Sequence, residues 1–372
     1  MPRKILLKKV KRIVVKVGTS SVSEKGRLSE KKILKIVNDI SILRKRGLEV
    51  VLVTSGAITA GCATLSKDRS GLSIPEKQAL AAVGQAELIN FYRKLFNKKG
   101  INIGQILLTD DDVRHRTRFL NARNTFNTLL SLGVLPIVNE NDSVVINEIK
   151  IGDNDTLSAQ VVNIIDAELL IILSDIKGFY WDLSDTEPVK KIKKITSEVY
   201  KRGGGSSSSC GTGGMFTKLK AADMILKSGG IMVIADSTEK NILPRIMDGG
   251  EIGTIFMADN GKTLPSRKKW IVSRAAKGRL LLDKGACDAV IHRKKSLLSS
   301  GIKKIYGIFK PGDFVELIDE LDNVIAKGIV NYSNQELSEI IGLKAHALKD
   351  IYGNKFLNEV VHRDNLVVFH EE

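Results

Sequence analysis

The stretch RIVVKVGTSS, residues 12–21, decides the fold class. Between Arg12 and Gly18 the run is apolar except for Lys16. A strand that is apolar on both faces belongs in a sheet covered on both sides. A lysine within it must carry its ammonium out of the core, to solvent at an edge or to an anion. Outward from this strand, residues 29–46 place Ile33, Leu34, Ile36, Val37, Ile40 and Leu43 on one helical stripe. Ser29 suits the N-cap and Gly47 the stop. Residues 48–53 (LEVVLV) form the next strand, and Pro75 opens a long helix closed by Gly100. The alternation continues with strands at 103–108, 134–138, 169–173 and 231–235, separated by helices near 119–132, 156–166 and 216–227. This pattern predicts an α/β three-layer sandwich with a mainly parallel sheet. In such sheets ligands bind beyond the carboxyl ends of the strands, so the loops there are where chemistry is expected.

With 372 residues the chain exceeds what one core usually organises. The alternation fades near residue 262, and GKTLPSRKKW follows as a linker. Beyond it, short segments with turn signals predict a small, mostly β module. The expected division is therefore a domain at 1–262, a linker at 263–274 and a second domain at 275–372. The formal net charge is +16, yet residues 275–372 hold 14 Lys+Arg and 14 Asp+Glu. The whole excess thus lies in the first domain, as scattered lysines that either solvate its surface or attract a polyanion such as ATP. Cys62, Cys210 and Cys287 have neither metal-site nor disulfide spacing, which suits a reducing compartment. No run approaches the roughly 20 apolar residues of a membrane span. A cytoplasmic protein is expected. The tract GGGSSSS at 203–209 reads as a loop.

Four strand-to-loop junctions concentrate Gly, Lys, Ser and Asp. In VKVGTSS, Lys16 and Gly18 suit a phosphate, the glycine letting backbone amides come close. In VTSGAITAG, small residues around Ser55 allow a ligand to sit against a helix start. The pair NENDSV and GDNDTLSA brings Asn139, Glu140, Asn141, Asp142, Asp153, Asn154 and Asp155 within 17 positions. Amides and carboxylates in that density can read both ends of an amino acid. Turn chemistry accounts for part of the cluster, whereas the spacing fails a calcium loop. In CGTGGMFTKLKAADM a glycine-rich loop opens a helix with Lys218 in its first turn. It matches neither GxxxxGK[ST] nor GxGxxG with a following ribose acid. Protein-kinase signatures, HExxH and a serine–histidine pairing are absent. Two lysines, glycines and acids still meet the needs of phosphoryl transfer, which requires cations and positioning rather than a covalent nucleophile.

Taken in order, VVKVGTS, VTSGAITAG, ALAAVGQAELI, QILLTDDD, RFLNARNTFNTLL, LPIVNENDSV, IGDNDTLSA, LSDIKGFY and GTGGMFTKLKAA resemble the glutamate 5-kinase family of the amino acid kinase superfamily. The C-terminal segment resembles a PUA module. The resemblance implies ATP and Mg2+, with L-glutamate phosphorylated on its γ-carboxylate as the first step toward proline. It also implies proline as feedback inhibitor and a homo-oligomer, dimer or tetramer. Carried over by motif, Lys16, Lys218 and Asp175 would be catalytic, Asp175 orienting the lysines. ATP would meet Lys16, Gly18, Ser174, Asp175, Thr212, Gly213, Gly214, Met215, Phe216, Thr217 and Lys218. Glutamate would be held by Ser55, Asp142 and Asn154, with Asn139 and Asp155 close by. No metal ligands are assigned. One departure is WDLSDTEPVKK after KGFY, where the family usually shows Asp-Pro-Arg, so Asp182 and Asp185 receive no role. The rivals are kinases of acetylglutamate, aspartate, carbamate or UMP, and an RNA-binding protein acting through the PUA-like module. The neutral charge of the latter speaks against strong phosphate-driven binding.

Overall fold

The computed structural model describes residues 3–144, 154–182, 184–203, 214–258, 271–272, 274–343 and 359–369. The chain divides into two compact units, Met1–Thr263 and Leu264–Glu372. The first contains strands β1 (Arg12–Val17), β2 (Ser23–Glu24), β3 (Arg27–Leu28), β4 (Glu49–Val53), β5 (Ile103–Leu108), β6 (Leu135–Glu140), β7 (Leu169–Ser174), β8 (Lys191–Ile192), β9 (Ile231–Asp236) and β10 (Thr254–Phe256). Strands β2 and β3 form a separate ribbon, and the other eight make one sheet in the order β5-β6-β4-β1-β7-β9-β10-β8. All its pairings are parallel except that of β9 with β10. The predicted α/β sandwich is observed. Strands β8 and β10 were not foreseen, because two and three residues are too few to show a period.

Strand β1 lies at the centre of the sheet, with Lys16 opposite Val53 on one side and Ile172 on the other. Lysine in a central strand cannot escape sideways to solvent, which removes the edge-strand reading of this residue. The helix Glu30–Lys45 covers one face with Ile33, Ile36, Val37, Ile40 and Leu43. Ser29 precedes it as expected but makes no capping hydrogen bond with its side chain. The helix Asn154–Ile165 packs against β1 and β7 below and the helices Arg116–Ser131 and Met215–Lys227 beside it. Eleven of its twelve residues are buried, Thr156 excepted. Its buried polar residues include Asn154, Asp155, Ser158, Gln160 and Asn163, so burial here is not a matter of apolar composition alone.

The helix Ile74–Asn97 begins with a capping box, Ser73 accepting from the Glu76 N–H while Glu76 accepts from the Ser73 N–H. It crosses the helix Ala57–Thr64 with no side chain between them at two points. A Cβ on Gly84 would lie 1.8 Å from the Ala57 carbonyl oxygen, and one on Gly61 would lie 1.9 Å from that of Leu80. The buried Tyr92 hydroxyl adds a hydrogen bond of 2.9 Å with Thr54 Oγ1, at the end of β4. These contacts seat the start of the helix Ala57–Thr64, and therefore the loop before it, against the sheet.

The second unit carries β11 (Gly278–Leu282), β12 (Ile302–Gly307), β13 (Phe314–Ile318), β14 (Val324–Ile329) and β15 (Leu366–Val368). They form one sheet in the order β12-β11-β13-β14-β15, with the short helices Lys284–Ile291 and Asn334–Ile340. The expected mostly β module is present. No helix among the described residues is long and apolar enough to cross a membrane.

The helix crossing yields a stability prediction. Gly84→Ala drives a methyl group into a backbone carbonyl that cannot rotate away. It should cost about 2 kcal/mol and lower the melting temperature by roughly 4–8 °C. A calorimetric scan checks this, and an unchanged melting temperature would mean that the two helices are free to separate.

Candidate active site

Lys16 and Lys218 arrive from two different junctions, the carboxyl end of β1 and the first turn of the helix Met215–Lys227, and both are buried. Between them stands Asp155, in the first turn of the helix Asn154–Ile165. Its Oδ1 is 2.5 Å from Lys16 Nζ and its Oδ2 is 3.2 Å from Lys218 Nζ. The Thr217 hydroxyl, 2.7 Å away, donates to Oδ2. Burial pushes this carboxyl's pKa up, but the two ammonium groups and the donors from Lys16 and Thr217 outweigh it and hold it below the usual carboxylate range. A depressed carboxyl stabilises the fold above the ordinary carboxylate pKa, and that contribution is lost as the pH falls through its folded value. One carboxylate thus pairs with both ammonium groups. Gly18 lies beside it: a Cβ there would be 3.8 Å from Lys16 Nζ.

Asn154, one residue before, points elsewhere. Consecutive residues on a helix project about 100° apart, so the first turn serves two neighbouring places. Asn154 Nδ2 donates to Ser55 Oγ at 2.8 Å and to Asn139 Oδ1 at 3.2 Å. Asn139, at the end of β6, also accepts from the Glu140 N–H at 3.0 Å and donates through Nδ2 to Gln85 Oε1 at 2.7 Å. Asn154 Oδ1 and Asp142 Oδ1 are both buried without a hydrogen-bond partner. Burial alone pushes the Asp142 pKa up to about 6. Orphaned acceptors are costly in a folded protein, and each calls for a donor that a ligand could supply.

Of the glutamate-site residues expected from sequence, Ser55, Asn139 and Asn154 thus form one hydrogen-bonded chain, and Asp142 follows β6. Asp155 is turned instead toward the lysines. Asp175 is expected to orient those lysines, yet the ion pairs observed come from Asp155, while exposed Asp175 accepts from Ser174 Oγ at 3.0 Å. The physical reason is reach, since Asp155 opens a helix buried beneath both lysines. On the nucleotide side, Ser174 ends β7 and Gly214 is the N-cap of the lysine-bearing helix. The Phe216 ring packs on Tyr200, with centroids 5.6 Å apart, and Lys220 Nζ lies 4.8 Å from its centroid. Met215 opens that helix half-buried. Thr212 and Gly213 lie outside the described residues. In the divergent segment, Asp182 pairs with Arg202 at 3.8 Å on the surface. Gln85 escaped the sequence reading; its one signal is its place inside ALAAVGQAELI, next to the packed Gly84.

Comparison with known proteins bears on this geometry. The amino acid kinase family model matches residues 11–235, and the PUA domain model matches residues 278–352. The glutamate 5-kinase of Thermoanaerobacter sp. (strain X514) is 45% identical over 367 residues, 96% of this chain and 97% of the relative. That of Deinococcus radiodurans is 41% identical over 362 residues, 96% of this chain and 99% of the relative. Among solved structures, Giardia carbamate kinase superposes with a TM-score of 0.50 at 17% identity, covering 67% of this chain and 99% of that one; this likeness concerns the fold. The chain belongs to the glutamate 5-kinase family of amino acid kinases.

Proposed function

We propose that this protein transfers the γ-phosphoryl group of ATP to the γ-carboxylate of L-glutamate, giving L-glutamyl 5-phosphate and ADP, the first step of proline biosynthesis. The observation that carries the mechanism is the Asp155 carboxylate spanning Lys16 and Lys218. It holds two ammonium groups from two separate junctions side by side, where a polyanion can meet both. In phosphoryl transfer negative charge spreads over the equatorial oxygens of the moving group, and fixed cations there lower the barrier. Lys16 and Lys218 supply them, and Gly18 keeps the approach open. Magnesium is proposed to enter with the nucleotide. Among the described residues no group of three or more His, Cys, Asp or Glu could hold a metal, which fits an ion carried largely on the phosphates.

The acceptor needs no general base. A glutamate side chain has a pKa near 4.3, so at neutral pH its γ-carboxylate is already an ionised nucleophile. It attacks the γ-phosphorus, the bond to the bridging oxygen breaks, and ADP leaves with the electron pair. The enzyme's task is to fix the free amino acid. Asn154 Oδ1 and Asp142 are acceptors awaiting donors, which suits an α-ammonium group. UMP, carbamate and acetylglutamate carry no such group, so the pocket favours a free amino acid over these. RNA binding draws no support from the neutral charge of residues 275–372. Feedback by proline, assembly as a dimer or tetramer, and a cytoplasmic location are proposed on the family resemblance.

A coupled ADP-release assay over a panel of acids, with and without proline, tests the reading. Turnover with another acid and none with glutamate would overturn it. Lys218→Ala should lower kcat by about 10²–10³-fold with the far-UV circular dichroism unchanged. Near-normal turnover would remove this lysine from the mechanism. Asp142 must be ionised to hold an ammonium group, so the KM for glutamate should rise as the pH falls below about 6. Asp142→Asn should start with a raised KM and lack that rise; an identical pH profile would contradict the assignment.

A further inference from the structure

We infer that Gln85, on the helix Ile74–Asn97, is a positioning residue that holds, together with the Glu140 N–H, the hydrogen-bond polarity of the acceptor pocket. The inference rests on reading that pocket as the amino-acid site.

A side-chain amide can face either way, and only its partners decide which end is oxygen. Here one backbone group settles the whole chain. The Glu140 N–H can only donate, so the Asn139 atom it meets at 3.0 Å is the carbonyl oxygen. The opposite end of Asn139 is then its NH₂, and the Gln85 atom facing it at 2.7 Å must be oxygen. The Asn139 oxygen also meets Asn154 at 3.2 Å, which must therefore present its NH₂. The second Asn154 hydrogen goes to Ser55 Oγ at 2.8 Å. Both donors of Asn154 are thereby consumed within the protein. Its oxygen stays buried and unpartnered, and the Ser55 hydroxyl, already accepting, has its own hydrogen to give.

The pocket so defined offers one hydroxyl donor from Ser55 and two acceptors, Asn154 Oδ1 and Asp142. Without an acceptor at position 85, Asn139 loses one of the two partners, the other being the Glu140 N–H, that oppose rotation of its amide. A turned Asn139 would set its NH₂ against the Glu140 N–H and the Asn154 NH₂, and Asn154 would turn in response. Its oxygen would then no longer await an ammonium group. Gln85 does this from outside the pocket, on a turn already locked by Gly84 against Ala57. It is two links from Asn154 and touches neither lysine in any described contact.

The test compares Gln85→Leu, which removes the acceptor, with Gln85→Glu, which keeps one, in steady-state assays varying glutamate and ATP separately. Gln85→Leu should raise the KM for glutamate about tenfold, the weight of one neutral hydrogen bond. The KM for ATP and kcat should move less than about threefold, with thermal melting confirming the fold. Gln85→Glu should return the KM for glutamate to within about threefold of the parent. An unchanged glutamate KM in Gln85→Leu, an equal rise for ATP, or failure of Gln85→Glu to rescue would each overturn the inference. If the parent enzyme itself ignores glutamate, the reading of the pocket fails instead.

Discussion

The active site depends on keeping Asp155 ionised between two buried lysines. Removing three charged groups from water is expensive, and such a cluster is tolerated only when every charge is paired or hydrogen-bonded. Here the pairing is shared among three elements that are remote in sequence: the end of β1, the start of the helix Asn154–Ile165 and the first turn of the helix Met215–Lys227. None of the three can shift without stranding a charge.

Donor and acceptor chemistry meet at a single peptide bond. Asp155 organises the cations and Asn154 lines the amide pocket, and helical geometry turns the two side chains to different neighbours. The distance between the transferred group and its acceptor is consequently set by backbone, not by flexible side chains. Because the acceptor carboxylate arrives ionised, no proton has to be moved before attack. Catalysis reduces to positioning and charge, which explains a site built from lysines, amides and hydroxyls.

Much of this was legible before any coordinates. The alternating apolar runs predicted the parallel sandwich because fully buried strands and stripe-bearing helices each have a period. The junctions at Lys16, Ser55, Asn139 and Lys218 stood out because lysine and amides are out of place beside apolar strands. Three features were not legible for physical reasons. Asp155 and Asp175 are both acids next to strand or helix ends, and only their three-dimensional reach separates the one that meets the lysines from the one that faces solvent. Gln85 sits in a helix where glutamine is unremarkable, and its importance comes from Asn139, 54 positions away. Strands β8 and β10 were missed because segments so short carry no periodicity.

The central place of β1 has one more consequence. Strands in the middle of a sheet exchange their amide hydrogens only when the whole domain opens, whereas edges and loops exchange through local fluctuations. Lys16 is bonded into such a strand between β4 and β7. Many enzymes lose activity on warming before they unfold, because their catalytic groups ride on the least cooperative parts of the molecule. In this protein one of the two cationic groups belongs to the last part to come apart. In the proposed mechanism its share of the machinery lasts as long as the domain does, and inactivation that precedes melting originates elsewhere in the site.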